Sequence, residues 1–193
     1  MRRGLILDRD GVVNHDPGYL HRIEDCRLID GIFEMTASFA KADFAIVIAT
    51  NQSGIGRGLY SEDDFQRLMD WMKSEFARHG VVLAGIYHCP FHPTEGVGAY
   101  RRDSTCRKPQ PGMLLRAAVE LNLDLSASWC VGDQMSDVEA GRSAGVGTLV
   151  RLDAACRATS WNGDHWVVPD LSSITQLLHD GKEAPRAESE IQD

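Results

Sequence analysis

Short apolar runs at residues 4–7, 45–49, 84–87, 129–131 and 147–150 alternate with longer amphipathic stretches, and this alternation leaves few ways for the chain to fold. Runs this short suit strands buried on both faces. Between them the spacing changes. Residues 31–42 place Ile32, Phe33, Met35 and Phe39 at mixed three- and four-residue intervals, and Ser61 before Glu62, Asp63 and Asp64 opens a helix that runs to Arg78 and stops before Gly80. Residues 111–121, with Pro near the start, and 136–144, closed by Gly145, read as further helices. Repeated strand and helix predict an α/β fold: a single Rossmann-like three-layer domain, its mostly parallel sheet covered by helices on both faces. Ligands of such sheets bind beyond the carboxyl ends of the strands.

The 193-residue length fits one compact domain, expected over residues 1–180, with the charged, apolar-poor residues 181–193 as a mobile tail. A formal charge of −8 argues against general nucleic-acid binding, which needs basic patches. No apolar run reaches the roughly 20 residues needed to span a bilayer. Met1-Arg2-Arg3-Gly4 leads into a strand rather than a secretory signal, so no membrane association and a cytoplasmic location are expected. Five cysteines without such a signal fit reduced thiols or metal ligands better than a disulfide framework. Oligomeric state is not readable. Residues 89–111, rich in Pro, Gly and Arg, are too long for a routine connection and form a candidate functional loop.

The chemistry lies at the strand ends. Leu5-Ile6-Leu7 runs into Asp8-Arg9-Asp10-Gly11, two carboxylates one residue apart that an extended chain points the same way. One such carboxylate can ligate a hard cation and act as nucleophile while the other moves protons; the same fragment also reads as a strand ending in a solvated acidic turn. Thr50-Asn51-Gln52-Ser53-Gly54 ends the second run with groups able to surround a phosphoryl oxygen, or with ordinary turn chemistry. Arg107-Lys108-Pro109 presents a fixed cation, or a solvated basic pair, before a helix. Asp133 follows the fourth run as a metal ligand that Asp137 supports from the next helix, or Asp133 or Ser136 is an ordinary helix cap.

Appearing in order at successive strand-to-helix turns, these segments resemble the four motifs of the haloacid dehalogenase superfamily of aspartate-dependent phosphohydrolases, over about residues 5–150. More narrowly, Asp8-Arg9-Asp10-Gly11-Val12-Val13-Asn14, Thr50-Asn51-Gln52-Ser53-Gly54-Ile55, Cys106-Arg107-Lys108-Pro109 and Pro111-Gly112-Met113 look like the D-glycero-D-manno-heptose 1,7-bisphosphate 7-phosphatases. The resemblance implies no large cap domain and a Mg2+-dependent phosphomonoesterase acting on a small sugar bisphosphate in nucleotide-activated heptose biosynthesis. In that family pattern Asp8 is the nucleophile that becomes an aspartyl phosphate, and Asp10 is the acid and base. Thr50 and Lys108 hold the transferring group. Mg2+ sits on the carboxylates of Asp8 and Asp133 and the backbone carbonyl of Asp10, with Asp137 behind. Asp16, Tyr19, Asn51, Gln52, Ser53 and Arg107 line the substrate pocket, although Tyr19 also reads as a packed loop aromatic. A sister branch acts on histidinol phosphate, which keeps that ester or another small phosphate ester as the alternative substrate. A phosphate-binding protein without turnover has no need for the full motif set. An interaction module would use Trp161 and Trp166, which are expected instead as satellite core.

The sequence departs from the family pattern at two places. A structural zinc is often held there on Cys-x-His and Cys-x-Cys, but the matching positions are Cys89, Phe91, Ser104 and Cys106, so zinc is not expected and the loop is expected to hold by packing and hydrogen bonds. Gln134 stands where a substrate-contacting lysine is frequent.

Overall fold

Leu5 and Leu7 face one side of the sheet and Ile6 the other, as the two-residue period of a strand requires, and each side meets its own layer of helices. The computed structural model describes residues 1–182. Its strands are β1 (Arg3–Leu7), β2 (Phe44–Asn51), β3 (Leu83–Cys89), β4 (Trp129–Gly132), β5 (Thr148–Leu152), β6 (Ser160–Trp161) and β7 (Trp166–Val168). The helices are α1 (Ile32–Lys41), α2 (Ser53–Gly56), α3 (Glu62–Arg78), α4 (Gly112–Leu121), α5 (Met135–Ala144) and α6 (Leu171–His179). Leu5, Leu7, Ile46 and Ile48 belong to a core shared with Phe39, Leu68, Phe76 and Ile174, from α1, α3 and α6. Ile6, Ala45 and Val47 belong to a second core with Leu114, Ala117 and Val138, from α4 and α5. The expected three-layer α/β fold is the one that forms.

The sheet order is β3-β2-β1-β4-β5-β7-β6, parallel except where β6 meets β7. The chain fills the positions on one side of β1 before crossing to β4 on the other, so the order reverses at the β1–β4 junction. That junction is where open α/β sheets leave a crevice. Leu7 is in register with Ile48 on one side and Val131 on the other. Asp8 therefore emerges level with the ends of β2 and β4. Among the described residues no domain is inserted before α1; that segment holds one short 3-10 turn, Ile23–Asp25. No helix there is long and apolar enough to cross a membrane.

Helices α1, α3, α4 and α5 lie within a residue of their expected bounds. Ser61 caps α3 as its sequence implies, accepting from the Asp64 N–H while the Asp64 carboxylate accepts from the Ser61 N–H. Sequence reading did not supply α2, α6 or the β6–β7 pair. Trp161 and Trp166 face each other across that pair, rings edge to face at 5.2 Å, and Trp166 packs against the main core. Of the expected tail, residues 183–193 lie outside the described residues.

Candidate active site

Asp8 is the first residue beyond β1, and its N–H donates to the Val131 carbonyl, continuing the ladder with β4. Its Oδ1 accepts from the Arg9 N–H at 2.7 Å and lies 2.9 Å from the Lys108 ammonium. That ammonium also sits 2.6 Å from Asp137 Oδ1 and donates to the Ala49 carbonyl at 2.8 Å. The ammonium is thus held between two carboxylates and one carbonyl. Burial pushes the Asp8 carboxyl up to about 7; the Lys108 charge opposes this, while Asp137 and Asp10 add to it. Burial alone would lower Lys108, but the charges of Asp8 and Asp137 outweigh it and hold the ammonium above its ordinary range. Burial also raises Asp133, whose Oδ2 accepts from the Gln134 side-chain amide at 2.8 Å.

Two glycines make room for this cluster. Gly11 has φ +83°, and a Cβ there would overlap the Asp133 carboxylate. A Cβ on Gly132 would overlap the Asp137 side chain. Oxygens of Asp8, Asp133 and Asp137 consequently lie within 4.8 Å of one another. Three carboxylates face one ammonium, and two of them are raised by burial, so the set fits a hard divalent cation that would supply the missing positive charge.

Asp10 sits in a different arrangement. Arg9, fully buried, bonds its neighbour's carboxylate through Nε at 3.1 Å and Nη2 at 2.8 Å, and reaches the Leu20 carbonyl at 3.1 Å. Asn14 Nδ2 donates to Asp10 Oδ1 at 2.9 Å and Gln52 Nε2 to Oδ2 at 3.0 Å. Gln52 Nε2 also donates to Thr50 Oγ1 at 2.8 Å, and its Oε1 accepts from Tyr60 OH at 2.6 Å. Arg9, Asn14 and Tyr60 were not among the expected site residues. An arginine flanked by two carboxylates was the available signal for the first; nothing local in the sequence pointed to Tyr60.

The expected pocket residues divide between neighbouring hollows. Asp10, Asp16, Tyr19, Asn51, Gln52 and Ser53 border a cleft of ≈ 260 Å³. Tyr19 is 44 % exposed with φ 53°, under the Arg57 guanidinium, and Asp16 accepts from the Gly18 N–H at 2.8 Å. Arg107 instead lines a second cleft of ≈ 440 Å³ with Lys108 and Ser104, and donates to the Phe91 carbonyl at 3.3 Å. The Asn51 amide, expected to face Asp10 or substrate, is engaged with the main chain of Lys108: Nδ2 donates to its carbonyl at 3.1 Å and Oδ1 accepts from its N–H at 3.0 Å.

In the long loop, Ser104 Oγ lies 3.0 Å from Cys106 Sγ, while Arg102 stacks over the Phe91 ring at 3.9 Å. A hydrogen bond from Cys89 draws the Cys106 thiol down to about 6, Ser104 contributing in the same direction. His88 faces Glu62 at 2.8 Å, and His92 Nδ1 accepts from the Thr94 and Glu95 N–H groups.

A HAD-hydrolase-like family model matches residues 105–174. The D-glycero-alpha-D-manno-heptose-1,7-bisphosphate 7-phosphatase of Burkholderia mallei is 50% identical over 161 residues, 82% of this chain and 85% of its own. The D-glycero-beta-D-manno-heptose-1,7-bisphosphate 7-phosphatase of Vibrio cholerae is 47% identical over 175 residues, 91% and 94% of the two chains. The crystal structure of D,D-heptose 1,7-bisphosphate phosphatase from B. bronchiseptica, complexed with magnesium and phosphate, superposes with TM-score 0.78 at 30% identity, covering 93% of this chain and 99% of that one.

Proposed function

Because the chain belongs to the D-glycero-manno-heptose-1,7-bisphosphate 7-phosphatase family of HAD-like hydrolases, we propose that it removes the 7-phosphate of heptose 1,7-bisphosphate, with Mg2+ as its cofactor, in nucleotide-activated heptose biosynthesis. The observation that carries the reading is the meeting of Asp8, Lys108, Asp133 and Asp137, from three separate segments, where the strand order reverses.

Asp8 attacks phosphorus in line; the bond to the sugar oxygen breaks as the aspartyl phosphate forms. Asp10 gives that oxygen its proton, then takes one from the water that hydrolyses the intermediate. The buried Lys108 ammonium and the Thr50 hydroxyl face the charge on the transferring group. Held between Asp8, Asp137 and the Ala49 carbonyl, Lys108 acts first as a fixed charge that holds Asp8 in place. Asp8 and Asp133, with the Asp10 carbonyl, would hold Mg2+, which supplies positive charge to offset repulsion between phosphate and nucleophile. Asp16, Tyr19, Ser53 and Arg107 border the hollows open to the sugar and its remaining phosphate.

The test is phosphate release with Mg2+ across both anomers of heptose 1,7-bisphosphate, histidinol phosphate and other sugar phosphates. The expected result is the highest kcat/KM on one heptose anomer. A preference for histidinol phosphate would overturn the substrate and leave the chemistry standing.

A further inference from the structure

Resting on the reading above, in which Asp10 protonates the leaving oxygen, we propose that Gln52 is a positioning residue for Asp10, its amide orientation fixed by Tyr60, and not a substrate contact. Gln52 is 2% exposed. Both of its amide hydrogens are taken, one by Asp10 Oδ2 at 3.0 Å and one by Thr50 Oγ1 at 2.8 Å, so none is left for a sugar hydroxyl. Turning the amide over would set Oε1 against the Asp10 carboxylate, acceptor against acceptor. Tyr60 opposes that turn, because its O–H needs Oε1 where it is, at 2.6 Å.

Tyr60 is itself held. It is 7% exposed, stacked on His21 at 5.1 Å, and set against Gly54, where a Cβ would overlap its ring. The other two side chains that donate to Asp10, Arg9 and Asn14, belong to the same turn as Asp10. Gln52 alone, among the described residues, ties that carboxylate to the neighbouring strand end, where Thr50 stands. One amide therefore sets the proton donor against the phosphoryl-binding hydroxyl. Thr50 Oγ1 already accepts a hydrogen bond, which leaves its own proton for a phosphoryl oxygen.

The experiment compares Gln52→Leu and Tyr60→Phe with the wild type on two esters, the heptose bisphosphate and p-nitrophenyl phosphate. An alkoxide needs a proton as it leaves and a nitrophenolate does not, so a displaced acid slows the first step selectively on the sugar ester, whereas hydrolysis of the aspartyl phosphate, which also uses Asp10, is common to both. For Gln52→Leu we expect the first-step rate on the sugar ester, read as heptose monophosphate released in a single turnover, to fall about tenfold or more, against about threefold at most for nitrophenol release, with half-saturation within about twofold on both. Tyr60→Phe, which keeps the ring packing, is expected to show the same selective loss at smaller amplitude. Equal losses of that first-step rate on both esters, a raised half-saturation with the rate kept, or unchanged kinetics for Tyr60→Phe would each overturn the proposal while wild-type turnover still upholds the phosphatase reading. A wild type inactive on both esters would overturn both.

Discussion

Arg9 carries a charge into a place with no solvent, and Asp10 is what makes that tolerable. Deleting the partner leaves the guanidinium uncompensated, so Asp10→Ala should lower unfolding stability by about 2–4 kcal/mol as well as turnover, read by urea denaturation. Asp8→Asn should behave differently: phosphate release is lost, while a circular-dichroism melt shows the fold retained. At Cys106 the hydrogen bond from Cys89 draws the thiol down, so alkylation by iodoacetamide should set in at a lower pH than for an ordinary thiol. Cys89→Ala removes the donor and should move the midpoint upward, toward an ordinary thiol. Asp8, Asp10, Thr50, Lys108 and Asp133 could be picked out from the sequence because each follows an apolar run or, for Lys108, stands directly before a proline-fixed turn. Arg9, Asn14 and Tyr60 could not. Strand alternation would point Arg9 away from both aspartates, and only the turn after β1 folds it back onto one of them.

At the scale of elements, α3 reads most plainly, because its apolar positions keep helical spacing for seventeen residues and both ends are marked. Leu68, fully buried on that face, links α3 to the sheet core. Leu68→Ala should cost about 2–5 kcal/mol, seen as a lower urea midpoint with an unchanged m-value. The β6–β7 pair was illegible for the opposite reason: strands of two and three residues are too short to display a period. Helix α6 did carry a signal, since Asp170 accepts from the Ser173 N–H as an N-cap and Leu171, Ile174 and Leu177 recur every third residue. That signal is short, and it follows two tryptophans that draw the reading toward a satellite cluster.

Across the whole molecule, strand order decides where the chemistry sits. The reversal between β1 and β4 brings together carboxylates more than a hundred residues apart, an arrangement that alternating strands and helices predict in kind but not in detail. Chelation with EDTA should abolish phosphate release and added Mg2+ restore it, and Mg2+ should raise the melting temperature by binding the folded state alone. The two-way amide bond between Asn51 and the Lys108 main chain spans 57 residues of sequence and fastens the far end of the long loop to β2. Residues 93–103 are thus expected to tolerate changes in length and composition without shifting the ammonium that faces Asp8, because Phe91, Ser104 and Thr105 carry the loop's own hydrogen bonds to the turn around Lys108. A lineage built on this clasp is free to try new substrates at its rim while inheriting an unaltered reaction centre.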